Sequence, residues 1–244
     1  MTTSKTRSVV SLCFETETDF AKNLDRLLAL IDQSPEDAII VAPEVALSGF
    51  AYERFDEAAD FTLVALEKLL ARIQNRLLIF TAITREEDAF YNIAYAIHNG
   101  AVLRRQAKAK LFALGAEHEH FVPGPEEGIA PFMFEGIKIG ILICFELRFK
   151  SLWQQLEGCD IIALPAQWGK LRADHFVTLT NALALMNQCY VIASDAANAD
   201  TTAMSGIITP FGGEIRNNGV EFLASHYEER TVLSMRRYLN VGIE

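Results

Sequence analysis

Three apolar stretches of the sequence each lead into side chains that can do acid–base or covalent chemistry. Residues 39–43 are followed by Glu44, and residues 139–143 are followed by Cys144. The segment 104–110 contains four basic side chains. A carboxylate at the end of a buried strand is costly unless it is paired or used. A cysteine between a strand and a helix lies at a sharp turn, where the N–H groups of a helix N-terminus can stabilise a thiolate. The three segments therefore predict an acid–base carboxylate, a thiol nucleophile and a cluster of cations.

Each of these segments also has a purely structural interpretation. A glutamate at a strand end can simply reach solvent, a lone cysteine is usually a buried apolar side chain, and lysines are common on solvated edge strands. The structural interpretation suits Cys13, Cys159 and Cys189, which lie within a strand or close to the start of one. Cys144 is therefore the candidate nucleophile.

The segment 117–121, Glu-His-Glu-His-Phe, raises a metal site as an alternative. His118 and His120 lie beside carboxylates, but no third ligand follows at a recognisable spacing. A metal-dependent hydrolase stays an alternative that sensitivity to a chelator would test. A serine hydrolase is disfavoured, because the sequence contains no G-x-S-x-G motif.

The composition limits the classes of partner. The 244 residues carry 22 basic and 32 acidic side chains, a formal net charge of −10, which argues against nucleic acid or an anionic membrane as the main partner. No apolar run approaches the ~18 residues of a membrane span, and the run at 9–14 is too short for the core of a signal peptide. We therefore expect a cytoplasmic protein with reduced thiols. The widely spaced cysteines, without a C-x-x-C pair, give little support to disulfides or a thiolate metal site.

Strand-like and helix-like segments alternate along the chain, without a long linker or an internal repeat. The apolar periodicity predicts helices at 18–33, 56–75, 148–157 and 174–188. It predicts strands at 8–14, 37–42, 77–85, 89–98, 101–108, 129–134, 138–144, 160–165 and 190–195, a long loop at 111–128 and a β-rich tail from Met204. The mixture of β–α–β units and hairpins predicts one α+β domain over residues 1–244, with helices covering the outer faces of sheets.

Taken in order, these segments resemble the motifs of the nitrilase, or carbon–nitrogen hydrolase, superfamily along nearly the whole chain. The family's glutamate motif is similar to residues 42–44, its lysine motif K-x-x-L-F to residues 108–112, and its cysteine motif C-[YF]-[DE]-x-R-F to residues 144–149. The phasing of the second motif favours Lys108 over Lys110 as the catalytic lysine.

Further motifs extend the resemblance towards the end of the chain. Glu117 stands where the family's E-x-x-x-F-x-x-G has a second glutamate, residues 164–168 resemble its P-A-x-W strand end, and residues 205–212 resemble a later hairpin. The sequence also departs from the family pattern, with Glu146 for Asp, Leu183 for Arg, Met186-Asn187 for Glu-Asn, and Asp195 for Asn.

The resemblance implies a four-layer αββα sandwich that forms a homodimer through its helices, and a Glu–Lys–Cys triad that works without a cofactor or metal. In this triad Glu44 is the general base and Cys144 is the nucleophile. Lys108 stabilises the oxyanion together with the backbone N–H of Phe145. Glu117 orients Lys108 or holds the leaving nitrogen.

Members of this superfamily act on several kinds of substrate, so the triad alone does not select one. The short chain and the 117–121 loop, which is similar to that of bacterial omega-amidase-like members, favour small dicarboxylate monoamides such as α-ketoglutaramate. The predicted substrate-binding residues are the carboxylate anchors Lys110, Arg148 and Arg172, the backbone of Phe145, and the pocket-lining side chains Phe50, Phe112 and Trp168. An N-carbamoyl amide hydrolase and a catalytically silent binding protein are the alternatives.

Overall fold

The fold is built on two six-stranded mixed sheets, which a computed structural model describes within residues 5–243. The first sheet contains β1 (Thr6–Leu12), β2 (Ile39–Val41), β3 (Leu77–Glu86), β4 (Ala89–His98), β5 (Ala101–Ala107) and β12 (Phe222–Glu228). The second contains β6 (Phe132–Phe134), β7 (Ile137–Ile141), β8 (Ile161–Ala166), β9 (Tyr190–Asp195), β10 (Gly206–Ile208) and β11 (Glu214–Arg216). Their orders are β12-β1-β2-β3-β4-β5 and β11-β10-β9-β8-β7-β6. In each sheet the central three strands that precede the candidate residues, β1-β2-β3 and β7-β8-β9, run parallel.

Six α-helices lie within the described residues. They are α1 (Phe20–Gln33), α2 (Phe55–Arg72), α3 (Glu117–His120), α4 (Lys150–Gln155), α5 (Ala173–Met186) and α6 (Glu229–Tyr238). Within residues 5–243, no helix has both the length and the apolar character that a membrane crossing requires.

Alternate side chains of the strands separate two apolar cores, as the period of two in a strand requires. Ile39 and Val41 of β2 face the second sheet, whereas Ile40 between them packs with residues of α1 and α2. The far side of the second sheet is covered by α4 and α5, for example through Leu152 and Phe176. The layers therefore follow the order α, β, β, α, and the predicted four-layer sandwich is confirmed.

Three local predictions differ from the structure. The predicted helix at 148–157 is a 3-10 turn at Cys144–Arg148 followed by the shorter α4, and the predicted loop at 111–128 contains α3 and two 3-10 turns. The β-rich tail ends in α6, which the sequence analysis missed. The helix is mostly polar, with Val232 and Met235 as its buried residues, so no apolar run marks it in the sequence. The cytoplasmic location and the homodimer stay predictions.

Candidate active site

Cys144 lies at a strained turn where the second sheet gives way to a short 3-10 helix. The chain leaves β7 at Ile141, and Cys144 has a φ of 45°, in the left-handed region. A non-glycine residue there costs about 1–3 kcal/mol, and such strain persists only where the surroundings hold it in place. The sharp turn that the sequence predicted at Cys144 is therefore present.

Glu146 connects this turn to the segment that carries the predicted lysine. Its Oε2 accepts from the backbone N–H of Ile143 at 2.7 Å, and its Oε1 accepts from the backbone N–H of Ala109 at 2.6 Å. Burial raises the pKa of Glu146 to about 7, against the lowering effect of these backbone hydrogen bonds. The sequence comparison treated this residue as a departure from Asp and missed that it joins the two segments.

Lys108 lies between two carboxylates in the interior of the protein. Its Nζ donates to Oε1 of Glu44 at 2.7 Å and to Oε1 of Glu117 at 2.8 Å, and the Lys108 side chain is fully buried. Burial lowers the pKa of Lys108, but the two carboxylates raise it more, so the ammonium form is favoured. The three predicted residues thus form one connected group, and Lys108 is the lysine in it, as the phasing indicated.

Two residues that the sequence analysis did not single out complete the surroundings of Glu44. The Asn92 Nδ2 donates to Oε1 of Glu44 at 2.8 Å, and the backbone N–H of Gln167 donates to Oε2 at 3.2 Å. The next residue, Val45, has a φ of 45°, which is unusual for a β-branched side chain, and its N–H donates to the Thr81 hydroxyl at 2.7 Å. Glu44 is therefore held by contacts from three different strands or strand ends.

The surroundings of Cys144 favour the protonated thiol over the thiolate. Burial and the nearby charge of Glu44 raise the pKa of Cys144 well above its ordinary value, although Lys108 and the Gln167 N–H act in the opposite direction. A 3-10 turn of five residues follows Cys144, and the expectation that its N–H groups stabilise the thiolate stays a prediction. When both carboxylates are ionised, they and Lys108 together hold one net negative charge. Loss of the thiol proton to solvent would add a second negative charge, whereas transfer of the proton to Glu44 keeps the net charge of the site constant.

Glu117 reaches the site from α3, inside the segment predicted as a loop. Its Oε2 accepts from the Phe112 N–H at 3.1 Å, and burial raises its pKa while Lys108 lowers it. The Tyr52 hydroxyl donates to the carbonyl of Gly115 at 2.6 Å, just before α3 begins. The Tyr52 ring also stacks on His120, with centroids 4.3 Å apart. Tyr52, which the sequence analysis missed, therefore fixes the segment that carries Glu117.

A cavity of about 240 Å³ opens beside Cys144 and Glu117. Six of the seven predicted substrate-binding residues line it, namely Phe50, Phe112, Phe145, Arg148, Trp168 and Arg172. Tyr52, Gln167 and Asp200 also line it, without a prediction from sequence.

The prediction for Lys110 as a carboxylate anchor is not supported by its position. Its ammonium pairs with Glu126 and lies 5.0 Å from the centre of the Phe149 ring, and Lys110 is not among the residues that line the cavity. Lys108 and Lys110 are two positions apart, on a segment that bends at Lys110, and only the first one turns into the site.

The two arginines at the cavity rest on aromatic rings. The Arg148 guanidinium lies 4.8 Å from the Trp168 ring centre and donates to Nδ1 of His175 at 3.1 Å, and Arg172 lies 5.0 Å from the Phe112 ring centre. Burial and the neighbouring Arg172 lower the pKa of Arg148. Within residues 5–243, neither guanidinium has an ion pair with a carboxylate. The cavity therefore combines an apolar wall with two guanidinium groups that can bind an anion.

A family model described as carbon–nitrogen hydrolase matches residues 8–218. The chain belongs to the carbon–nitrogen hydrolase family. Among its relatives, the deaminated glutathione amidase of Escherichia coli O157:H7 is 31% identical over 209 residues, which are 78% of this chain and 78% of that protein. The 2-oxoglutaramate amidase of Bacillus subtilis (strain 168) is 27% identical over 224 residues, 86% of this chain and 86% of the relative.

The fold of this carbon–nitrogen hydrolase also matches solved structures. Nit3 of Saccharomyces cerevisiae, a member of branch 10 of the nitrilase superfamily, superposes with a TM-score of 0.88 at 19% identity, covering 98% of this chain and 96% of that one. The predicted membership of the nitrilase superfamily, in its omega-amidase-like branch, and the predicted enzyme class are confirmed.

The residues that depart from the carbon–nitrogen hydrolase pattern lie in different surroundings. Leu183 is fully buried in the core between α5 and the second sheet, and Met186 at the end of α5 is exposed. Asp195 is fully buried, and its Oδ1 accepts from the Trp168 N–H at 2.7 Å. Its Oδ2 accepts from the Thr202 hydroxyl at 2.5 Å. Of Leu183, Met186 and Asp195, only Asp195 bears on the cavity, because it holds the backbone of Trp168 in the wall.

The ionisation of Asp195 predicts a pH-dependent effect on stability. Burial raises its pKa from 3.8 to about 7, against the lowering effect of its hydrogen bonds. Between these values the protein takes up a proton on folding, so the contribution of this group to the free energy of unfolding falls as pH rises. In Asp195→Asn the side-chain carbonyl can accept from the Trp168 N–H and the NH2 group can donate to the Thr202 hydroxyl, which reverses the second hydrogen bond. We expect this variant to gain stability over the wild type as pH rises from 4 to 7. The gain in the free energy of unfolding should be about 1.4 kcal/mol for each pH unit in this range.

Urea unfolding across this pH range measures the difference. Asp174→Asn, at an exposed position of α5, controls for the loss of one negative charge. A difference between Asp195→Asn and the wild type that stays constant with pH would contradict the prediction.

The two histidines that suggested a metal site lie apart from the Cys144 cavity. The His118 side chain is exposed, and His120 is stacked on Tyr52. Among the described residues, the structure contains no group of three or more His, Cys, Asp or Glu side chains arranged to hold a metal ion.

Proposed function

We propose that this chain hydrolyses the ω-amide of a small dicarboxylate monoamide, through a thioester on Cys144, and releases ammonia. The observation that carries the proposal is the buried group of Glu44, Lys108 and Glu117 beside Cys144, in a cavity that also presents Arg148 and Arg172. The names of the two relatives support it, since 2-oxoglutaramate is itself such a monoamide.

The first half of the reaction forms the thioester. Glu44 takes the proton of Cys144 as the sulfur attacks the amide carbonyl, so the C–S bond forms without a change in the charge of the site. Lys108 has three N–H groups, and two of them are directed at carboxylates, which leaves the third for the oxyanion. The backbone N–H of Phe145 is the second oxyanion donor. The C–N bond then breaks as Glu44 returns the proton to the nitrogen, and ammonia leaves.

The second half hydrolyses the thioester. Glu44, again ionised, takes a proton from water, and the resulting hydroxide attacks the carbonyl carbon. When the C–S bond breaks, the proton on Glu44 returns to Cys144, and the carboxylic acid product ionises. Glu117 keeps Lys108 directed at the oxyanion in both halves through its 2.8 Å contact. Water and the side chains of this protein supply every proton that is transferred during the reaction.

The far carboxylate of the substrate is bound by Arg148 and Arg172. A guanidinium donates two parallel hydrogen bonds to a carboxylate, and within residues 5–243 these two have no carboxylate partner of their own. The cavity of about 240 Å³ suits a short dicarboxylate rather than a long chain. The aromatic rings beneath the two guanidiniums exclude water and strengthen the attraction.

Removing one of the two cations should weaken the binding of acidic amides selectively. We expect Arg172→Gln to raise KM for a dicarboxylate monoamide by about 10- to 100-fold, the loss of a charged hydrogen bond. The KM for a neutral amide of the same length should stay close to that of the wild type. Lys170→Gln is a matched control, because it removes a positive charge from the same 3-10 turn at a residue outside the cavity. An equal rise in KM for the acidic and the neutral amide would exclude Arg172 as the carboxylate anchor.

The proposal as a whole is tested by ammonia release from a panel of ω-amides, neutral amides, N-carbamoyl amines and nitriles. Preferential turnover of the dicarboxylate ω-amides supports it. Carbon dioxide released with ammonia from the N-carbamoyl amines would favour that class of substrate instead. A protein that turns over nothing in the panel, and whose Cys144 is not acylated by a reactive ester, would be a binding protein.

A further inference from the structure

The guanidinium of Arg172 lies against Gly169, a cavity residue that has no side chain. A Cβ atom at position 169 would lie 2.5 Å from Nη2 of Arg172 and 3.3 Å from its Cζ. Unbonded heavy atoms normally approach to about 3.5–4.0 Å, so the first of these separations is far too short. The same guanidinium lies 5.0 Å from the ring centre of Phe112. The guanidinium therefore occupies space that any side chain at position 169 would fill.

The backbone conformation does not explain why position 169 is a glycine. Gly169 has a φ of −63° and a ψ of 134°, an extended conformation. Residues with a side chain adopt this conformation without strain. Alanine would therefore fit the backbone at this position. What the structure excludes is the Cβ atom itself, because the guanidinium of Arg172 takes its place.

The backbone of Gly169 is held in place by a neighbouring segment. Gly169 pairs with Thr201 in an antiparallel bridge. The N–H of the next residue, Lys170, donates to the carbonyl of Asp200 at 2.7 Å. The guanidinium, in contrast, stands at the end of a long and flexible side chain. A methyl group at position 169 would therefore displace the guanidinium of Arg172 and leave the backbone where it is.

We propose that Gly169 is a positioning residue, which sets the place of the Arg172 guanidinium and thereby the selectivity for amides with a far carboxylate. This inference rests on the proposed function, in which Arg172 binds that carboxylate. Attack by Cys144 on the amide fixes where the carboxylate at the other end of a short substrate can lie. A displaced guanidinium keeps its charge, but it no longer directs two parallel hydrogen bonds at that point.

The test compares wild type with Gly169→Ala on a dicarboxylate monoamide and on a neutral amide of the same length. We expect KM for the acidic amide to rise about tenfold, the loss of one hydrogen bond to a charged group. KM for the neutral amide, and kcat for both amides, should stay within about twofold, because only binding of the carboxylate is affected. Gly128→Ala is the matched control, since a Cβ there meets only Pro125, at 3.4 Å, outside the cavity.

The double variant Gly169→Ala/Arg172→Gln separates positioning of the guanidinium from a general effect on the site. The glutamine side chain has no guanidinium for the new methyl group to displace. If Gly169 acts through Arg172, adding Gly169→Ala to Arg172→Gln should change KM for the acidic amide by less than about twofold.

Three results would overturn the inference. An unchanged KM for the acidic amide in Gly169→Ala would show that the guanidinium does not depend on the glycine. An equal rise in KM for both amides would show a general effect on the cavity. A rise that Gly169→Ala causes in full in the Arg172→Gln background would show that it does not act through Arg172. Failure of the proposed function looks different, because wild type itself would then release no ammonia from the acidic amide.

Discussion

Cys144→Ala should abolish ammonia release while the protein stays folded. The loss in kcat should be on the order of 10⁶-fold, the scale observed when the nucleophile of a coupled catalytic group is removed. The cavity offers no second thiol, since Cys13, Cys159 and Cys189 do not line it. Alanine keeps the strained φ of 45° and deletes only the sulfur, so we expect a change of less than about 1 kcal/mol in the free energy of unfolding.

Intact-mass spectrometry after rapid quenching tests the same step directly. Wild type mixed with substrate should gain the mass of the acyl group, and Cys144→Ala should not. Cys189→Ala is the matched control, because it removes a fully buried thiol just before β9 and should keep the mass shift. An acyl adduct on Cys144→Ala would assign the nucleophile to another residue.

The positions of Glu44, Lys108 and Cys144 along the chain were predictable because each of them closely follows a strand. Apolar runs locate β2 and β7 to within a few residues, but these strands belong to different sheets, so the packing of the two sheets brings Glu44 and Cys144 together. The K-x-x-L-F phasing then chose Lys108, and the structure directs its Nζ to Glu44 and Glu117. The spacing of a motif is informative because it indicates which residue after the strand end directs its side chain into the site.

The contacts that tune the site were not predictable in the same way. Asn92 and Gln167 reach Glu44 across 48 and 123 residues of sequence, and nothing local marks either of them. Glu146 occupies a motif position, but its bond to Ala109 depends on how two strand ends meet. The protonated state of the Cys144 thiol depends on burial, a property of the assembled layers. These features depend on tertiary packing, and the periodicity of a single segment does not reveal that packing.

Lys108→Met should both inactivate the enzyme and destabilise it. The substitution removes the oxyanion donor and leaves two carboxylates buried next to each other without a cation. Breaking a buried ion pair by removing one partner costs about 3–5 kcal/mol. We expect this loss in the free energy of unfolding near pH 8, measured by urea titration, together with loss of ammonia release.

The destabilisation by Lys108→Met should shrink in acid, and the sign of this change is diagnostic. Burial already raises the pKa of Glu117, and removal of Lys108 takes away the charge that lowers it, so the folded variant binds a proton that the unfolded chain does not. Stability of the variant relative to wild type must then rise as pH falls. Adding Glu117→Gln to Lys108→Met should restore part of the stability at pH 8 without restoring activity.

Lys110→Met provides the comparison that separates a general charge effect from the buried pair. Its ammonium is partly exposed and pairs with Glu126 away from the cavity, so its loss should cost less than about 1 kcal/mol and leave turnover intact. Two lysines two positions apart, replaced by the same residue, are thus expected to differ by several kcal/mol in stability and by nearly all of the activity. Similar losses for both variants would contradict a buried Glu44–Lys108–Glu117 group, because an exposed pair and a fully buried one would then have the same effect.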